Sequence, residues 1–273
     1  MNQAHMIKLF QLLVKEKNQQ YIEVPQSLKT IVFRLRDKVR IEFLFLVLLL
    51  NRDLDNLTKQ FLVKCKKDIR WSQSQIFQDF FAFTAVGQQK KGYFVEFGAT
   101  DGIIFNNTLY LERYHQWQGI LAEPGISWKD RLKDNRTAHL DHRCVYSVSG
   151  KTIEFSENTD PLLSGVGEHL QGDLAENHSY ELTTVSLEDL LLTHHAPKYI
   201  DYLSIDTEGS ELLILKSFDF SKYRFGCITV EHNFNELDRS EIYTLLTANG
   251  YCRVLEQFSA HDDWYLCKSL KNL

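Results

Sequence analysis

The sequence predicts an α/β protein built on a mostly parallel sheet. From residue 72 onward, short apolar strands alternate with amphipathic helices, the signature of repeated βα units. The strand at residues 93–97 runs directly into a glycine turn, Gly98-Ala99-Thr100-Asp101-Gly102. Glycine there permits a tight turn and close backbone approach to a ligand. Two late strands, residues 251–258 and 264–267, lie close enough to pair as an antiparallel hairpin at a sheet edge.

The chain has 273 residues, room for one large domain plus an extension. Its 44% hydrophobic and 25% charged residues place it among soluble globular proteins. The five cysteines are odd in number, scattered and never spaced Cys-x-x-Cys. That argues against a disulfide framework or a zinc site and fits a reducing compartment, so a cytoplasmic location is expected. Residues 1–17 show no small-residue cleavage site, so no secretory signal is expected. The Asn-x-Ser/Thr triplets at Asn56, Asn106, Asn135 and Asn177 then read as chance matches.

The net charge of −5 hides an asymmetry. Residues 1–70 carry 14 Lys+Arg and 7 Asp+Glu, a net of +7, while the rest carries 17 and 29, a net of −12. We therefore divide the chain into a basic helical extension, 1–70, and a domain, 71–273. Ile7, Phe10, Leu13 and Val14 lie at helical spacing. The segment 28–50 is basic and then apolar. Its eight-residue run 43–50 is too short to span a bilayer, which needs roughly 20 residues. It reads as a buried or interface helix. Contact with a membrane surface, helped by Arg34, Arg36, Lys38 and Arg40, is the competing expectation.

Within the domain, a helix at 74–86 precedes the first strand. Asn106 or Asn107 can cap the next helix, which carries Leu109, Leu111 and Tyr114. Residues 119–123 form a second strand, ended by Pro124, and residues 143–147 a third. A Ser149-Gly150 turn and a short strand at 152–155 follow. Residues 156–180, rich in Gly, Ser, Asn and Asp, read as a long loop, and such loops are often functional. A helix at 187–192, a strand at 201–206, a helix at 210–218, a strand at 226–231 and a helix at 239–248 complete the series before the hairpin.

Ligands of such sheets bind outside the carboxyl ends of the strands. The first strand carries Glu96 and leads to Gly98 and Asp101. The second ends in Glu123, 25 residues after Gly98, a spacing that suits a carboxylate gripping ribose hydroxyls. The fourth leads into Asp206-Thr207-Glu208-Gly209-Ser210-Glu211. Glu208 and Glu211 there also suit a helix N-terminus, so Asp206 is the better site candidate. The fifth ends in Glu231-His232-Asn233, where His232 is either a general base near neutrality or a ring satisfying a loop hydrogen bond.

Taken together these residues resemble the FkbM-type methyltransferases, which use S-adenosylmethionine (SAM). The landmarks are Ser74-Gln75 with Gln78-Asp79, the run Phe94 to Gly102, Asn107-Thr108 before Leu111-Glu112, and Trp117-x-Gly119-Ile120-Leu121-x-Glu123-Pro124. Ser186 to Leu191, Ile205-Asp206-x-Glu208-Gly209-x-Glu211 and Val230-Glu231-His232-Asn233 follow. The resemblance runs from Ser74 to Cys267 and leaves the segment 1–70 outside. The familiar pattern has Ser where this chain has Phe105 or Asn106.

The resemblance implies a class I methyltransferase fold, a Rossmann-like sheet of seven strands with the last antiparallel. It implies cofactor contacts from Glu96, Gly98, Ala99, Asp101, Gly102, Asn107, Thr108, Glu123, Pro124 and Asp206. His232, Asp206 and Glu231 are the candidate catalytic groups, and Asp206 with Glu231 are the candidate ligands of a magnesium ion. The implied reaction is O-methylation of a sugar or other small polar metabolite. Ser164-Gly165-Val166-Gly167 in the 156–180 loop is the candidate acceptor-side lid. A non-catalytic methyltransferase-like scaffold and, more remotely, an NAD-dependent oxidoreductase are the alternatives. The turn is Gly-x-x-x-Gly, not Gly-x-Gly-x-x-Gly, which disfavours the latter. The expected partner is a small-molecule or glycan acceptor. Nucleic acid is not expected beside so acidic a body, and self-association is a further expectation.

Overall fold

The computed structural model describes residues 54–88, 91–157, 164–166 and 178–270. The helices expected within 1–50 and Gly167 of the expected lid lie outside them. Seven α-helices are described: α1 (Asn56–Asp68), α2 (Gln78–Ala85), α3 (Leu109–His115), α4 (Lys129–Asn135), α5 (Leu187–Thr193), α6 (Glu211–Ser217) and α7 (Glu236–Ala248). Eleven strands run β1 (Tyr93–Phe97), β2 (Gln118–Ala122), β3 (His139–Asp141), β4 (Cys144–Tyr146), β5 (Thr152–Glu157), β6 (Gly165–Val166), β7 (His178–Ser186), β8 (Tyr199–Ile205), β9 (Arg224–Glu231), β10 (Tyr251–Val254) and β11 (Asp262–Cys267).

The main sheet has seven strands in the order β10-β11-β9-β8-β1-β2-β3. β11 pairs antiparallel with both β9 and β10, while β3, β2, β1, β8 and β9 are parallel. This is the predicted class I methyltransferase arrangement. Side chains alternate across the strands. Phe94 and Leu121 enter one core with Phe61, Phe80, Phe81, Tyr110 and Trp264. Val95, Phe97, Ile120, Leu203 and Ile228 enter the other with Leu190, Ile214 and Leu246. Helices therefore cover both faces, which is why the strands read as apolar runs. Asp55 caps α1, accepting the Thr58 amide at 2.9 Å, and α1 sends Phe61, Leu62 and Cys65 into the first core.

Two expected elements differ. The third strand of the sheet is His139–Asp141, not 143–147. The chain leaves the sheet there, and Cys144–Tyr146 pairs with Thr184–Ser186 in a second sheet, β4-β7-β5-β6. Part of the expected 156–180 loop is strand: β5 continues to Glu157, β6 pairs with it, and β7 begins at His178. Residues 158–163 and 167–177 of that stretch lie outside the described residues.

Candidate active site

Sequential strands run outward on either side of the junction between β1 and β8, so the switch point of the sheet lies there. Gly98 leaves β1 at φ +73°, and its amide donates to the Ala122 carbonyl at 3.1 Å. A Cβ on Gly98 would sit 2.2 Å from the Asp206 carbonyl oxygen. Glycine is thus required for two chain segments to cross closely at the mouth of the site.

The turn presents its amides to Glu123. Thr100, at φ +51°, donates its amide to Glu123 Oε2 at 2.8 Å, and Gly125 donates to Oε1 at 2.8 Å. Burial pushes Glu123 up to about 7, against these two bonds and helped by the nearby Glu157 and Asp206 charges. Asp101 serves its own turn, accepting the Ile103 and Ile104 amides at 2.9 and 2.8 Å.

Glu96 does not face the cavity. The strand alternation puts it on the Phe94 side, under α3. Its carboxylate accepts the Asn107 amide at 2.7 Å and the Thr108 hydroxyl at 2.5 Å. Burial raises its pKa, opposed by the Arg136 guanidinium and these bonds. Arg136, which sequence reasoning passed over, donates to Asn106 Oδ1 at 2.7 Å and Thr108 Oγ1 at 2.8 Å. Asn106 in turn caps α3, accepting the Thr108 and Leu109 amides. The Asn107 amide side chain donates to Ser204 Oγ at 3.0 Å. Glu96, Asn106, Asn107, Thr108 and Arg136 thus form a buried frame behind the turn.

At the ends of β8 and β9 the Asp206 and Glu231 carboxyls share a hydrogen bond. Burial, with the charge of nearby carboxylates, holds Asp206 at about 6 and Glu208 at about 8, and pushes Glu231 well up. Such a pair keeps a proton at neutral pH, because both members cannot ionise together cheaply. Asn233, at φ +45°, donates to Glu231 Oε2 at 2.9 Å and lies 3.4 Å from Glu208 Oε2. Glu211 folds back on its own helix start and accepts the Thr207 and Gly209 amides. Ligand atoms of Asp206, Glu208 and Glu231 lie within 4.8 Å of one another, and so do those of Glu231, His261 and Asp262.

His232 is held away from this pair. Its Nδ1 accepts the Phe234 amide at 3.0 Å, and its Nε2 lies 3.9 Å from Asp263 Oδ1. The ring is buried, and that burial lowers its pKa.

A cavity of about 800 Å³, counting its part open to solvent, lies above these strand ends. Of the residues expected to contact a cofactor, Gly98, Glu123, Pro124 and Asp206 line it, joined by Glu231. Glu96, Ala99, Asp101, Gly102, Asn107, Thr108 and His232 do not. Ser164, Gly165 and Val166 of the expected lid and Thr100 of the turn line it too, while Phe105, Val145 and Phe155 supply walls that sequence reading did not single out. Among the described residues, four acidic side chains and no Lys or Arg line the cavity. That donor set fits a ligand bearing hydroxyls and a positive charge.

The family model described as methyltransferase FkbM domain matches residues 96–262. No curated protein matches the sequence. Among solved structures, methyltransferase FkbM from Methylobacillus flagellatus KT is 9% identical, with 79% of this chain and 63% of that chain covered and a TM-score of 0.42. This chain therefore spans about 63% of that protein's length. Precorrin-6y C5,15-methyltransferase from Geobacter metallireducens GS-15 is 8% identical, with 68% and 84% covered and a TM-score of 0.38. The family match takes in more than half of the chain and includes the Gly98 turn, Glu123, Asp206 and Glu231, and the chain belongs to the FkbM methyltransferase family.

Proposed function

We propose that this chain is a SAM-dependent methyltransferase that methylates a hydroxyl of a sugar or other small polar metabolite. The observation that carries the reading is Glu123, a buried carboxylate at the end of β2 whose two oxygens are held by the Thr100 and Gly125 amides and face the cavity. SAM would supply an electrophilic methyl group on a positively charged sulfur. Glu123 has acceptor capacity left for two ribose hydroxyls. Gly98 lets the backbone approach the ligand, and the acidic lining stabilises positive charge.

The Asp206–Glu231 pair is the proton acceptor for the acceptor hydroxyl. Its ionised member takes the proton as the oxygen gains the methyl group, while the walls exclude water. Phe155 and Val166 reach the cavity from the second sheet, which supports an acceptor-side role for that sheet. The carboxylate oxygens are also the ligand type a hard divalent ion prefers, so magnesium belongs in the same assay.

Titration calorimetry with SAM, followed by labelled SAM offered with sugars, glycolipids and polyols, with and without magnesium, tests the reading. Binding with transfer to a hydroxyl is the expected result. No heat with SAM would sink it, and binding without any labelled product would favour the scaffold alternative.

A further inference from the structure

The outer face of α1 is basic. Phe61, Leu62 and Cys65 go inward, and Lys59, Val63, Lys66 and Lys67 are exposed on the opposite side, three to four residues apart. Arg70 and Trp71 extend that exposed face beyond the helix. The Arg70 guanidinium lies 4.8 Å from the Trp71 ring, and that ring lies 5.1 Å from Tyr114. Trp71 is 40% exposed and Tyr114 44%. The two acidic residues beside this face are engaged locally: Asp55 caps α1, and Asp68 pairs with Lys64 at 3.0 Å.

We propose that this face docks on an anionic lipid surface. Charge complementarity selects an anionic partner and fixes its orientation. Residues 54–70 carry five Lys+Arg and two Asp+Glu, a net of +3, and the residues after them a net of −12, so such a surface attracts this face and repels the rest. The aromatic and apolar component selects lipid over nucleic acid. Val63, Trp71 and Tyr114 sit among the basic groups, and aromatic rings of this kind favour the membrane–water interface. Among the described residues no helix is long and apolar enough to cross a membrane. This inference is independent of the methyltransferase reading.

Flotation of the full chain with phosphatidylcholine vesicles, with and without about 30% phosphatidylserine, tests it. Binding is expected only with the anionic lipid and is lost near 0.5 M salt, where the screening length falls to about 4 Å. Each basic residue at such a surface strengthens binding roughly fivefold. Lys66→Glu with Lys67→Glu and Arg70→Glu should therefore weaken it at least about tenfold. Lys66→Gln with Lys67→Gln is the milder control should the triple variant fold poorly. Trp71 gives a direct readout, because Trp117, Trp128 and Trp264 are only 2%, 6% and 0% exposed. Anionic vesicles should shield it from acrylamide and shift its emission to the blue. Any one of three results overturns the proposal: no flotation, flotation that survives the charge changes, or Trp71 already shielded without vesicles. Binding of a nucleic-acid duplex through the same residues, with vesicles ignored, would assign the face to a different partner.

Discussion

The Thr100 amide donates to Glu123 Oε2 at 2.8 Å, tying the turn after β1 to the carboxylate at the end of β2. The same carboxylate is held protonated to about pH 7 by burial, with the Glu157 and Asp206 charges adding to it. Folding therefore raises its proton affinity above the ordinary value of 4.5. The stability this confers is fully present below the unfolded value and is lost as pH rises through about 7. Asp206, at about 6, and Glu208, at about 8, act in the same direction. Without ligand, Tm should fall between pH 5 and 8, and Glu123→Gln should flatten that slope. SAM affinity should rise over the same interval, because ribose hydroxyls donate to the ionised carboxylate. Thermal melts and calorimetry across this range check both, and a Tm that climbs toward pH 8 would contradict the assignment.

Gly98→Ala tests the crossing at the switch point. A Cβ 2.2 Å from a backbone oxygen cannot be relieved by a rotamer change, so the ends of β1 and β8 must separate. Gly150 supplies the comparison: its φ is +77°, yet a Cβ there would meet nothing within 4 Å. Gly150→Ala should cost about 1–2 kcal/mol from backbone conformation alone. Gly98→Ala should cost more and also weaken SAM binding at least about tenfold. Equal costs with SAM binding intact would show that the close approach does not matter.

Glu96→Ala should act on stability rather than on ligand contact. Removing one partner of a buried charged network costs about 3–5 kcal/mol. That corresponds to roughly 6–20 °C in Tm for a domain of this size. The variant leaves the Asn107 amide and the Thr108 hydroxyl without their acceptor and removes a charge near Arg136, which keeps its ion pair with Glu112 at 2.8 Å. At a temperature where it is folded, SAM affinity should remain within about tenfold of the parent. A variant that melts normally but cannot bind SAM would place Glu96 in direct contact with the ligand.

The part of the site that is legible in the sequence is local. Gly98, Glu123 and Asp206 each follow an apolar strand and mark its end, so pattern and spacing suffice to place them. What stays hidden depends on pairing between segments distant in the chain. Val145 and Phe155 reach the cavity because β4 and β5 both pair with β7, on the far side of the polar stretch that reads as a loop. Glu96 reads as a ligand contact because its surroundings are set partly by Arg136, which lies beyond α3, β2 and α4 and carries no local signal. The same limit makes 143–147 read as the third strand of the main sheet, when His139–Asp141 takes that edge.

The two candidate proton acceptors separate by pH profile. Asp206 lines the cavity and shares a hydrogen bond with Glu231, and its pKa near 6 should give methyl transfer a rising limb at that pH. Asp206→Asn should remove the limb and lower kcat by about 10²–10⁴, the usual worth of a positioned base. SAM affinity should change far less, since Glu123 is untouched. His232, in contrast, spends Nδ1 on the Phe234 amide and points its other nitrogen toward Asp263, 3.9 Å away. Asn233 and Phe234 hold left-handed backbone at φ +45° and +60°, a strained turn that this hydrogen bond helps fix. His232→Gln should therefore lower stability and turnover modestly, within about tenfold, and leave the limb near pH 6 in place. If His232→Gln instead erased the limb while Asp206→Asn retained it, the proton would have to pass through the imidazole, and the loop beyond β9 would need to rearrange on ligand binding.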